Sequence, residues 1–248
     1  MVPYDKIMDQ AQPGGESIVR SLQTHVLEPL SEAESTAEVE YEEITAEGQA
    51  FSRFRDRVVG IETTTCTDPV DSLHSNVVTR SQAISRVRSV FCETVMNVDH
   101  YDEIYDETLE EFVAAEFSAD IAAGLDPTSN TIFTELYKTT LLAAVEDGIA
   151  MRQTVREQLE RELESIERCR MALVDLLKPL DGPNIPTWYQ TDFNDELDQI
   201  ARTRQESIQQ GVPLSRADGH DLCQYLYQDH RWTYPVLTAI TRFDTAVT

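Results

Sequence analysis

The sequence predicts an all-α protein, a helical bundle organised around one long central helix at about residues 130–180. Three observations predict it. Apolar residues recur at three- and four-residue steps along most of the chain. No alternating stretch of useful length marks a strand. Leu159, Ile166, Leu173 and Leu180 are spaced by sevens, with Leu163, Arg170 and Leu177 as the partner row. That is coiled-coil-like packing with one arginine intrusion.

The elements follow in order. Residues 1–27 contain Pro3, Pro13, Gly14 and Gly15 and read as a flexible lead-in with at most one short helix. A helix over 28–59 opens on a Glu-rich half, including Glu32, Glu38 and Glu47, which suits a helix N-terminus. Val39, Ile44, Phe51, Phe54 and Val58 form its sparse inner face, and Gly60 stops it. Residues 61–78, with Thr63-Thr64-Thr65 and Asp68-Pro69, are a polar linker. A second helix at about 79–98 carries Ile84, Val87, Phe91, Val95 and Val98. An acidic corner at 99–107 leads to a third helix at about 106–124, ended by Gly124 and Pro127.

Thr128, Ser129 or Asn130 caps the longest helix, whose first stripe includes Phe133, Leu136, Leu141 and Val145. Residues 181–186, with Gly182, Pro183 and Pro186, break the chain. Further helices are expected at about 188–210 and 219–228, and a last one starts at Pro235. At 248 residues, with about 150 residues per domain as a guide, residues 28–248 are expected to form a single helical domain.

Charge narrows the setting. There are 45 acidic residues against 20 basic ones, a formal net charge of −25, and only Lys6, Lys138 and Lys178 are lysines. Acid excess with lysine depletion marks a protein working in molar salt. At about 1 M salt the Debye length is ~3 Å, so repulsion that would open the chain in dilute buffer is screened. The same balance excludes a simple basic nucleic-acid binder. Cys66, Cys92, Cys169 and Cys223 are too far apart for a CxxC pair and are expected as buried free thiols. No continuous apolar run in residues 1–27 suggests a signal peptide, and no 18-residue apolar stretch suggests a membrane span. A cytoplasmic location is expected.

The phrases Phe51-Ser-Arg-Phe-Arg-Asp-Arg-Val58, Arg86 to Met96 running into His100–Glu107, Glu111–Phe117, and Tyr225-Leu-Tyr227 with Thr233–Leu237 carry a resemblance. Over roughly residues 40–245 the chain resembles a haloarchaeal family of uncharacterised all-helical proteins, a domain of unknown function. The resemblance implies a halophilic origin and a helical fold. It supplies no activity and no catalytic residue.

Two constellations stand out as candidate sites. The corner gathers His100, Tyr101, Asp102, Glu103, Tyr105 and Asp106, where a carboxylate–His pair could do acid–base work or hold a divalent metal. The competing expectation is a helix corner with solvated carboxylates. Arg53, Arg57, Arg86 and Arg88 form a candidate patch for an anion or an acidic partner. Here the alternative is helix-end charge paired with Glu. His220, Cys223 and His230 are a third, weaker set of soft ligands.

No phosphate-binding glycine loop, nucleophile elbow or HExxH motif is present, so no catalytic residue, metal or cofactor is assigned. The expected function is a non-enzymatic interaction or scaffold protein, with a protein partner or self-association through the 152–180 seam. Direct nucleic-acid binding is not expected, and a small-molecule ligand is left open. The alternatives are a nucleic-acid-associated regulator using the arginine patch, or a metal-dependent helical enzyme using the His100 region.

Overall fold

Heptads and three-to-four spacing become helices in the computed structural model, which describes residues 18–64, 75–105, 107–129, 131–180, 185–210 and 222–247. In order these are α1 (Ile18–Leu22), a π-helical turn (Gln23–Leu27), α2 (Glu28–Val59), α3 (Ser75–Thr94), α4 (Tyr101–Ile104), α5 (Leu109–Glu116), α6 (Ala119–Leu125), α7 (Glu135–Leu177), α8 (Gln190–Gln210), α9 (Leu222–Leu226) and α10 (Pro235–Val247). No strand occurs among the described residues, so the all-α bundle holds. Among them no helix is long and apolar enough to cross a membrane.

Local chemistry sets the boundaries. Pro29 has no N–H to bond back into the preceding turn. The chain widens there, and Glu28 N–H bonds Gln23 O, the spacing of a π-turn. The expected helix at 106–124 is in fact two helices. Thr108 and Glu111 form a reciprocal capping box at the start of α5. Ser118 is extended, at φ −174°, and its Oγ accepts from Ile121 N–H, so α6 restarts there. The long helix is capped by Thr134, which accepts from Tyr137 N–H, and not by Thr128 or Ser129, while Asn130 lies outside the described residues.

The chain divides into two compact units: the described residues of Met1–Glu38 with Glu160–Thr248, and those of Val39–Leu159. In the Val39–Leu159 unit, Phe51, Phe54, Val58, Val87, Phe91, Phe112, Val113, Phe133, Leu141 and Val145 form the core. Phe54 and Phe91 meet edge to face at 5.0 Å. Each such ring, once fully buried, contributes about 1.5–3 kcal/mol before entropy is counted. Two stripe residues are corrections. Val39 is exposed because it stands about 200° round α2 from buried Ala37. Leu136 is exposed because it lies about 140° round α7 from buried Leu141.

The other unit is built on Leu22, Val26 and Leu30, on Ile166, Cys169, Leu173 and Leu176, and on Phe193, Leu197, Tyr227 and Val236. Its α10 packs on α8 and on the π-turn. Arg170, the intrusion in the heptad rows, pairs its Nε with Glu34 Oε2 at 2.9 Å. Ile166 and Leu173 are fully enclosed by their own chain. They are therefore not free to zip against a second copy, which corrects the expected use of that seam. Among the thiols, Cys169 and Cys223 are buried as expected, but Cys92 is exposed, and Cys66 lies outside the described residues.

Candidate functional site

The Val39–Leu159 unit encloses a cluster of charged and polar groups centred on Glu47 of α2 and Arg152 of α7. Glu47 continues the stripe of Phe51, Phe54 and Val58 at helical spacing, so α2 carries it inward. Arg152 sits seven residues after Val145 and seven before Leu159, in the buried row of α7. Glu47 is 7% exposed and Arg152 5%. Arg152 Nε donates to Glu47 Oε2 at 2.8 Å, and its Nη1 donates to Glu116 Oε1 at 2.7 Å. The guanidinium lies 3.9 Å above the Phe51 ring. Gly148 makes the close approach possible, since a Cβ there would meet Phe51 at 3.0 Å and Glu116 Oε1 at 3.2 Å.

The corner joins this cluster. Tyr105 donates its phenol to Glu47 Oε1 at 2.8 Å, and His100 Nε2 stands 3.3 Å from the same oxygen. Tyr101 is buried and packs on Tyr105 at 5.3 Å and on Phe112 at 5.5 Å. The structure thus brings His100, Tyr101 and Tyr105 together. The side chains of Asp102 and Glu103, and all of Asp106, lie outside the described residues. Sequence inspection missed Arg152, and it placed Glu47 and Glu116 only in general helix patterns. The available signal was the same for all three: a charged residue occupying a slot in an apolar stripe.

Burial works against the Arg152 charge, yet Glu116 and Glu47 outweigh it and hold the guanidinium more firmly protonated than usual. Burial, then the charge of Glu47, pushes the Tyr105 phenol well above its ordinary value near 10. Burial likewise raises Tyr227, and pushes Tyr137 up to about 12. The folded chain therefore holds phenol protons that the unfolded chain releases above pH 10. This contribution to stability is complete below pH 10 and is lost as pH rises toward the folded values. Each phenol adds a slope of at most about 1.4 kcal/mol per pH unit. Urea unfolding across the alkaline range is expected to show stability falling above pH 10, with a shallower fall in Tyr105→Phe. Stability unchanged between pH 9 and 12 would contradict the burial of these phenols.

Two arginines of the candidate patch take separate partners. Arg57 Nη2 pairs with Glu93 at 2.5 Å, while Arg88 Nη1 donates to Glu110 and to Leu125 O, each at 2.6 Å. Arg86 is exposed on α3. Arg53 lines a groove of about 410 Å³ walled by α2 and α7, together with Thr45, Arg152 and Arg156. Of the buried cluster, only Arg152 reaches this groove. His100, Tyr105 and Glu47 do not line it, so no acid–base group of the cluster faces a ligand there.

The Glu160–Thr248 segment holds a second closed ion pair. Arg204 of α8 is bidentate on Glu162 of α7, through Nη1 to Oε2 at 2.9 Å and through Nη2 to Oε1. It also donates to Ser165 Oγ at 2.8 Å. Cys223 approaches the pair, with Sγ 3.7 Å from Nη2. His230 lies 3.5 Å from Glu32, and His220 falls outside the described residues. Among the described residues no group of three or more His, Cys, Asp or Glu is placed to hold a metal ion.

Fold and clusters together define an all-helical protein in which, among the described residues, Glu47, Glu116 and Glu162 are each ion-paired to a buried arginine. The chain belongs to the family described as Domain of unknown function (DUF7260), whose model matches residues 28–248. No curated protein and no solved structure matches it.

Proposed function

We propose that this is a non-enzymatic interaction protein of a haloarchaeal, salt-rich cytoplasm, acting through protein contacts that include a second copy of itself. One observation carries the reading. Met171 and Val174, three residues apart on α7, are 53% and 44% exposed on a strongly acidic chain. Residues at that spacing are neighbours on a helix surface, so they form a small apolar face clear of the enclosed Ile166–Leu173 row. Trp188, at 76% exposure, adds a large apolar side chain to the surface of the same unit.

The acid excess and the scarcity of lysine support the salt-rich setting. Residues 28–248 are proposed to act as one domain. The support is that the family match runs through both units, and that α2 and α7 each contribute residues to both. Sedimentation velocity in molar KCl tests the functional reading. The native chain is expected to sediment as a dimer or larger, and Met171→Asp with Val174→Asp is expected to shift it to monomer. A strict monomer for the native chain would overturn self-association.

A further inference from the structure

We infer that the groove between α2 and α7 is a binding site for a small organic phosphate. The ten residues lining it include three arginines, Arg53, Arg152 and Arg156, and no aspartate or glutamate. This occurs in a chain with 45 acidic residues against 20 basic ones. Three other arginines of the unit are taken up, Arg55 by Asp56 and Glu146, Arg57 by Glu93 and Arg88 by Glu110, while Arg86 is solvent-exposed on α3. Arg53 and Arg156 join no ion pair among the described residues, and both face the same groove.

The second observation is independent of charge. Arg156 Nε and Thr45 Oγ1, both on groove residues, are buried atoms with no hydrogen-bond partner. Buried polar atoms are nearly always satisfied, and leaving one unpaired is costly. Both atoms are shielded from solvent, so an oxyanion in the groove satisfies them only once the Arg156 and Thr45 side chains turn toward it. Guanidinium groups match phosphate with paired, charge-assisted hydrogen bonds. A volume of about 410 Å³ exceeds what a bare phosphate fills and falls in the range of small-molecule sites. Ile44 and Ile149 supply apolar wall for the remainder of the ligand.

The acidic coat does not forbid an anion here. In molar salt its repulsion fades beyond ~3 Å, and contact hydrogen bonds decide recognition. Chloride offers one centre, whereas a phosphate engages two guanidinium groups at once.

Isothermal titration of the full chain in molar KCl, with inorganic phosphate and with phenyl phosphate as probes, tests the site. Both are expected to bind saturably, with phenyl phosphate tighter by roughly tenfold from its apolar ring. Arg53→Gln and Arg156→Gln are each expected to weaken binding by about tenfold or more. Arg57→Gln, outside the groove and paired with Glu93, is expected to change nothing. Arg53 is exposed, so its replacement leaves the fold intact even where Arg156→Gln does not. Absence of saturable binding by either probe, or unchanged affinity in Arg53→Gln, would overturn the site. Equal affinity for the two probes would overturn its assignment to an organic phosphate. None of these readouts depends on oligomeric state.

Discussion

Replacing Arg152 with methionine is expected to destabilise the protein by about 3–5 kcal/mol. The guanidinium is the cation that Glu47 and Glu116 share, at 2.8 and 2.7 Å. Both carboxylate side chains are only 9% exposed. Methionine fills the volume but leaves two buried negative charges with the Tyr105 phenol and His100 as the neighbours on Glu47. The contact with the Phe51 face is lost as well, worth about 0.5–2 kcal/mol. Urea unfolding monitored by far-UV circular dichroism measures the change. Adding Glu47→Gln and Glu116→Gln to Arg152→Met is expected to recover part of the loss, because it removes the stranded charges. A loss below 1 kcal/mol in the single variant would contradict a closed, ion-paired cluster at Arg152.

The second large effect is Arg204→Met. Arg204 is 3% exposed and makes both hydrogen bonds to Glu162, so its removal strands a buried carboxylate and the Ser165 hydroxyl. About 3–5 kcal/mol of stability is expected to go. The double variant Arg204→Met with Glu162→Leu separates pair from packing. An apolar pair of similar volume often matches or exceeds a buried ion pair. The double variant is therefore expected to be more stable than the single one, by thermal unfolding in the same salt. A double variant less stable than Arg204→Met alone would show that Glu162 is held by groups other than this arginine.

These two clusters mark the limit of what the sequence discloses. Periodicity gave the helices readily, and α2 begins and ends where the Glu-rich run and Gly60 place it. The break at Ser118 was harder, because apolar spacing runs straight across it, and only the cap chemistry of Thr108 and Ser118 distinguishes two helices from one. The corner at His100–Tyr105 was visible as a concentration of polar groups. Its partners were not, since Glu47 and Arg152 stand 105 positions apart and only folding brings them to 2.8 Å. Glu47, Arg152 and Arg204 share one hint. Each occupies a slot that helical spacing assigns to the core, as Arg204 does after Phe193, Leu197 and Ile200. A charge in such a slot implies an opposite charge on a facing helix. It does not say which helix, because the sequence carries no register between elements far apart.

The exposed surface is less specified still. Val39 and Leu136 fit stripe positions yet face solvent, because each stripe drifts as its helix turns. The groove at Arg53 and Arg156 could not be read from spacing alone, since α2 supplies Arg53 and α7, far along the chain, supplies Arg152 and Arg156.

Dialysis of the full chain from molar KCl to about 0.1 M salt, followed by circular dichroism, probes the salt dependence on which the proposed setting rests. The buried clusters among the described residues hold two arginines and three glutamates, so they account for only one of the 25 excess negative charges, and repulsion among the rest grows as the screening length lengthens. Loss of helical signal is expected at low salt, with recovery when KCl is restored. An unchanged spectrum would show that the acidic surface needs no salt, and would remove the ground for placing the protein in a halophilic cytoplasm.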